Sequence, residues 1–234
     1  MSEHLTRKEL KTDNVAITVE HAVHYYQGHR KSTLQIVGCV IIAAVLGFGI
    51  YFWMDHAKTV RQGKLADAMQ IAEAQVGAPS QTGATTFPTQ DAKDQAMTKA
   101  FTDLAAQYSG SNEGAVAEYS LASLAITAGK NDEARKHFQQ VIDSGNKEYR
   151  SLAKLALAQL DFGDGKPADG EKLLRDLIDN PTTLVTKAQA SITLARLIGP
   201  TRPADAKLLL APFLKETGEV GQNATQVQTE ITGK

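Results

Sequence analysis

The stretch LASLAITAGKNDEARKHF, Leu121 to Phe138, carries two helices and the turn between them. Leu121, Ala122 and Ala125 fall at the 3-to-4 spacing that paints one apolar helix face, and Gly129 stops that helix. Asn131, Asp132 and Glu133 then open a second helix with acids at the positive end of its dipole. Ala134 and Phe138 follow one turn apart. A small residue early in the second helix lets it cross the first closely, and a large one a turn later fills the space between hairpins.

Working outward, the same pair of jobs returns. Gly129, Gly163 and Gly199 each end a helix, spaced by 34 and 36 residues. Ala134 is followed by Gly170 and Ala206 at a step of 36, as Phe138 is by Leu174 and Leu210, and Val141 by Leu177 and Phe213. On the first helices Ala122, Ala156 and Ile192 recur by 34 and 36, and Pro167 and Pro203 sit where a first helical turn tolerates proline. Ala100 and Leu104 lie 34 before Ala134 and Phe138, which adds an earlier partial unit. No run of β-branched residues alternates like a strand. One hairpin cannot bury its own stripe, so such units must stack, and at least three are needed.

Upstream lies a segment of another kind, LQIVGCVIIAAVLGFGIYFWM, Leu34 to Met54: 21 residues without a charge. As a helix it is about 31 Å long, the thickness of a bilayer's hydrocarbon core. It exceeds the apolar part of a signal peptide and leaves through Tyr51, Phe52 and Trp53, residues suited to the headgroup level. Cys39 has most of the apolar run after it rather than before, so it reads as a small helix residue and not as a lipidation site. Ala43 and Gly47 form a small-xxx-small pair through which the span is expected to support a homodimer. Arg30 and Lys31 at the entry, with Arg7, Lys8 and Lys11, weigh against Lys58, Arg61 and Lys64 at the exit and lean to a tail-inside orientation.

The expected organisation is therefore a cytoplasmic tail at 1–33 with a short amphipathic helix (Val15, Val19, Ala22, Val23, Tyr26) and a transmembrane helix at 34–54. A continuing helix at 55–76, a Pro/Gly-rich loop at 77–90, repeats at 91–215 and a polar C-terminal tail at 216–234, frayed or forming a poorly packed last helix, complete it. With one cysteine, inside the span, the large region has no disulfide framework. The chain carries 25 basic and 26 acidic residues, a balance that gives no reason to expect nucleic-acid binding. No nucleophile elbow or phosphate loop occurs. His21, His24 and His29 lack further ligands, and the Asp161, Asp164 and Asp169 cluster lacks the spacing of a calcium loop. The reading expects no enzyme, no cofactor and no metal.

The order small residue, Gly, Ala, Phe, carried by Leu121, Ala122, Ala125, Gly129, Ala134 and Phe138, resembles the tetratricopeptide repeat. Gly170 in place of Ala, and Ser191 in place of a first-helix Leu, depart from it. The expected fold class is all-α, one N-terminal transmembrane helix followed by a tetratricopeptide-like helical-hairpin solenoid. The whole layout is similar to the bacterial inner-membrane family that includes the ancillary subunit of the SecYEG translocon. That resemblance implies periplasmic repeats, an inner-membrane anchor, and the Sec translocon and periplasmic chaperones as protein partners.

A repeat solenoid offers a groove lined by its first helices. Side chains outside the packing set are the candidates to line it. They are Glu118, Tyr119, Ser123, Ile126 and Thr127 in unit one; Lys154, Gln159 and Asp161 in unit two; and Lys187, Gln189 and Arg196 in unit three. A membrane-anchored interaction scaffold follows. The alternative is a holdase that binds unfolded secreted chains directly, and the polar character of most of these side chains argues against it.

Overall fold

The computed structural model describes residues 30–77 and 85–233, with side chains from Gly38 onward. The expected tail helix and its histidines, and residues 78–84 of the loop, lie outside them. Two compact units divide at Thr59 and Val60.

In the first unit the apolar segment is helical, part of α1 (Arg30–Glu73). Its large side chains from Val40 to Met54 are exposed, from 57% at Ile50 to 72% at Trp53, with Phe48 and Phe52 ring centroids 5.2 Å apart along the helix. Such a surface is stable only against something apolar. The helix is long and apolar enough to cross a membrane.

In the second unit the remainder of α1 is followed by β1 (Gln75–Val76) and β2 (Thr86–Phe87), and then by α2 (Gln90–Gln107). Three hairpins come next: α3 (Asn112–Thr127) with α4 (Asn131–Ser144), α5 (Lys147–Gly163) with α6 (Pro167–Asp179), and α7 (Lys187–Ile198) with α8 (Pro203–Leu210). α9 (Glu219–Thr232) ends the stack. The two short strands pair in parallel, Gln75 opposite Thr86 and Val76 opposite Phe87, so α1 stops at Glu73 rather than running to residue 76. They were not foreseen because two residues cannot show alternation.

Local chemistry separates the two helices of each hairpin. First helices start on a side-chain cap: Ser111 accepts from the Gly114 N–H at 3.0 Å, Asn146 from Tyr149 at 3.0 Å and Thr186 from Gln189 at 3.2 Å. Second helices have no such cap and begin straight after a tight turn. In units one and two the turn is the same object. Gly129 and Gly165 adopt φ of +71° and +73°, and the following Lys130 and Lys166 N–H groups reach back to the Ala125 and Asp161 carbonyls at 2.8 and 2.7 Å.

That geometry corrects the register. The turn equivalent of Gly129 is Gly165, not Gly163, so the step on the first helices is 36 throughout and the fully buried equivalents are Ala122, Ala158 and Leu194. Ala156 is only half-buried. In the earlier unit, Phe101, Leu104 and Ala105 are buried, the first two 37 before Phe138 and Val141, and Ala100 is half-buried. The second-helix positions stand as read: Ala134, Phe138 and Val141, with their equivalents Gly170, Leu174, Leu177, Ala206, Leu210 and Phe213, are all buried.

Three apolar clusters follow the stack. One joins the end of α1 to α2 and α3 around Ala68, Phe101 and Leu121; the next joins α3, α4 and α5 around Ala122, Phe138 and Ala153; the last runs from α5 to α9. Arg61 of α1 also meets the buried Glu113 of α3 at 3.4 Å. Of the two forms expected for 216–234, a frayed end or a poorly packed last helix, Glu219–Thr232 takes the second as α9, and it packs better than expected: Gly221, Ala224 and Val227 are buried against α7 and α8. Small residues let it lie close, and its Ile231 fills the space over Gly199.

Gly170 departs from the usual alanine for a steric reason. A Cβ there would stand 2.6 Å from the Phe162 ring and 2.7 Å from the Ala158 carbonyl oxygen. The Gly170→Ala variant is expected to lose about 1–3 kcal/mol through overpacking, read from urea unfolding. A variant as stable as the parent would mean that Phe162 repacks freely.

Candidate protein-interaction surfaces

The residues expected to line a groove fall into two sets. Five pack on or pair with other side chains, four of them at least partly buried and Arg196 exposed. Tyr119 packs edge-on against Phe138 with ring centroids 5.4 Å apart, and burial pushes its phenol pKa up. Glu118 turns toward α4, where its carboxylate meets His137 Nδ1 at 2.7 Å. The Lys154 ammonium donates to Asp176 of α6 at 2.5 Å, and Arg196 reaches Glu230 of α9 at 3.3 Å.

Asp161 is the clear correction, since its side chain is 3% exposed and cannot line a groove. A step of 36 before it stands Ala125, a packing residue, so Asp161 occupies the face between hairpins. It is tolerated there because the Arg135 guanidinium of α4 reaches it and also donates to Asp164 at 2.9 Å, while Asn131 donates to Asp164 at 2.7 Å. These bonds hold the Arg135 pKa above its ordinary value, the hydrogen bond to Asp161 first among them. They also account for two of the three acids around the turn, Asp161 and Asp164.

The other six are exposed: Ser123, Ile126 and Thr127 on α3, Gln159 on α5, and Lys187 and Gln189 on α7. Ser123 and Gln159 hold one repeat position, a step of 36 apart. In unit three that position is Ala195, fully buried. The open face of the first helices therefore belongs to units one and two. Lys187 and Gln189 stand apart at the start of α7.

A second concavity was not foreseen. A cleft of about 570 Å³ opens between α2 and α4 over α3, with a floor that includes Leu121, Leu124 and Ala128 and a rim that includes Asp94, Lys99 and His137. Repeat spacing alone cannot reveal it, because it arises from what is missing between two helices. Among the described residues no group of three or more His, Cys, Asp or Glu side chains is placed to hold a metal ion.

Stacked hairpins with a small and a large residue at fixed stations define a repeat solenoid of the protein-binding kind. A family model described as the tetratricopeptide repeat-like domain matches residues 24–199, and the chain belongs to that family. No curated protein and no solved structure matches it.

Removing Arg135 strands a buried carboxylate, so Arg135→Ala is expected to cost about 3 kcal/mol or more. Arg135→Ala combined with Asp161→Ala, which copies the alanine of unit one, should recover most of that loss in a double-mutant cycle. Additive losses would show that the two side chains do not act as a pair.

Two partly exposed ion pairs are expected to contribute to the acid limb. The Arg202 guanidinium, by hydrogen bond first, holds Glu171 below the ordinary carboxylate range, and Lys154 does the same for Asp176. A carboxyl whose folded pKa is lowered contributes stability that is fully present above its unfolded value and lost as pH falls through the folded one. The urea midpoint should hold from about pH 7 to pH 5 and fall below about pH 4. Glu171→Gln with Asp176→Asn should lower it at pH 7 and flatten the decline; an unchanged slope would assign the acid limb to other groups.

Proposed function

We propose that the chain is a membrane-anchored protein–protein interaction scaffold of the bacterial envelope, ancillary to the Sec translocon and periplasmic chaperones. The observation that carries the reading is a helical segment, residues 38–54, whose large apolar side chains are exposed, in one chain with a hairpin solenoid of a protein-binding family. An anchor of this kind raises the effective concentration of the binding face at the membrane, so weak contacts suffice. The orientation, with the tail in the cytoplasm and the repeats in the periplasm, and the choice of translocon and chaperone partners rest on the resemblance in layout. The exposed first-helix side chains of units one and two are the proposed contact face. Apart from Ile126 they are polar, which favours folded partners over unfolded clients.

In-cell crosslinking of the tagged full-length protein, followed by gentle extraction and mass spectrometry, is expected to recover translocon subunits or envelope chaperones. Deleting residues 1–56 is expected to leave a folded helical domain that recovers far less of them. Recovery of an unrelated membrane complex, or of the protein alone, would overturn the choice of partners, and a truncated domain that fails to fold would overturn the anchor-plus-solenoid picture.

A further inference from the structure

Three junctions between consecutive hairpins are equivalent in the stack, and two are closed by a side chain that crosses them. Between α4 and the end of α5 it is Arg135, bound to Asp161 and Asp164. Between α6 and the turn before α8 it is Glu171, a step of 36 later, bound to Arg202. At the first junction the same station, 37 before Arg135, is Thr98. Facing it, where Asp161 and Asp164 stand in unit two, are Ala125 and Ala128. Neither side reaches across, and the cleft of about 570 Å³ between α2 and α4 is the result. That volume is ample for two or three side chains of a guest.

The lining decides what kind of guest. The floor is apolar. On the rim Lys99 pairs with Asp103 at 2.6 Å and Lys130 with Glu133 at 3.5 Å, each within its own helix. Asp94 is the remaining rim carboxylate: it accepts from the Gln90 amide at 2.7 Å, and no basic side chain pairs with it among the described residues. Acids outnumber lysines around the opening, and the unmatched charge is negative.

The geometry points to a docking cleft for a basic and apolar segment of a protein partner, in which a guest arginine or lysine faces Asp94 and an adjoining apolar side chain covers the Leu124 floor. The guest supplies at the first junction the crossing that Arg135 and Glu171 supply at the others. This rests on the scaffold reading above and extends it to a partner class and to a second face of the domain.

The test uses full-length protein in nanodiscs of zwitterionic phosphatidylcholine, with empty nanodiscs as control. The probe is a short fluorescein-labelled peptide of alternating arginine and leucine, compared with a twin carrying glutamate for arginine. Fluorescence anisotropy should show binding of the basic peptide and at least about tenfold weaker binding of the twin. Thr98→Arg with Ala125→Asp builds the missing crossing and should weaken binding by about tenfold or more, and so should Asp94→Lys. Circular dichroism checks that each variant is folded, and Asp94→Lys alone decides if the double variant is not. Absence of binding, equal binding of the twin, or wild-type affinity in the folded variants would overturn the cleft. Crosslinking in cells separates the two readings: partners recovered with Asp94→Lys at the wild-type level overturn the cleft alone, and none recovered with the wild type overturns the choice of partners on which the scaffold reading rests.

Discussion

A helical hairpin has one apolar stripe too many. Packing its two helices together buries one face of each, and the other stays exposed until a neighbouring hairpin covers it. Every repeated feature of the second unit answers that constraint. Ala134, Gly170 and Ala206 bring the second helix down onto the first, and Phe138, Leu174 and Leu210 then reach the next hairpin and are fully buried. Where the first helix brings a bulkier ring, as Phe162 does, even a methyl group is excess and glycine takes the station. A stack built this way must also be ended. α9 ends it by offering Gly221, Ala224 and Val227 inward and chiefly polar residues, among them Gln222, Asn223 and Gln226, outward.

Apolar stacking alone does not say which hairpin sits beside which, because the stations are nearly the same in each. The polar crossings do. Arg135 requires carboxylates opposite it, and Glu171 requires a cation. Exchanging the neighbours would set Arg135 against Arg202 and leave Asp161 buried without a partner. A buried pair such as Arg135 with Asp161 contributes less to stability than to the exclusion of wrong arrangements, and the more exposed Glu171–Arg202 pair adds charge complementarity. The junction without a crossing is then the one where order is set by other means, including the Arg61–Glu113 contact between α1 and α3.

Much of this was legible in residue spacing, since stations 36 apart on the second helices coincide with burial in all three units. The first helices were harder for a definite reason. Gly163 and Gly165 both stand at the end of α5, and only the backbone shows that Gly165 takes the left-handed conformation. Choosing Gly163 displaces the first-helix register by two residues, enough to take Asp161 off its packing station and put it in the supposed groove. Charge reinforced the error, for a carboxylate on a helix is usually solvated and its partner Arg135 lies 26 residues away on another helix. The packing of α9 was harder to read because it is made through small residues, which carry little apolar signal.

The same constraint bears on where the domain can bind. A face that the stack must cover is lost to partners, and α9 removes the third unit's inner positions, Ala195 among them, in this way. What stays open is what stacking does not need: the Ser123 and Gln159 row on the first helices, and the uncrossed junction beneath Thr98. The two differ in kind. The row is polar, with the hydroxyls of Ser123 and Thr127 donating to the Tyr119 and Ser123 carbonyls a turn earlier, so a partner meeting it gains by hydrogen bonds made largely through Gln159 and through displaced water. The junction has an apolar floor that water wets poorly, so a guest there gains from burial first and from charge second. Tight contact therefore belongs to the junction, and the row contributes orientation.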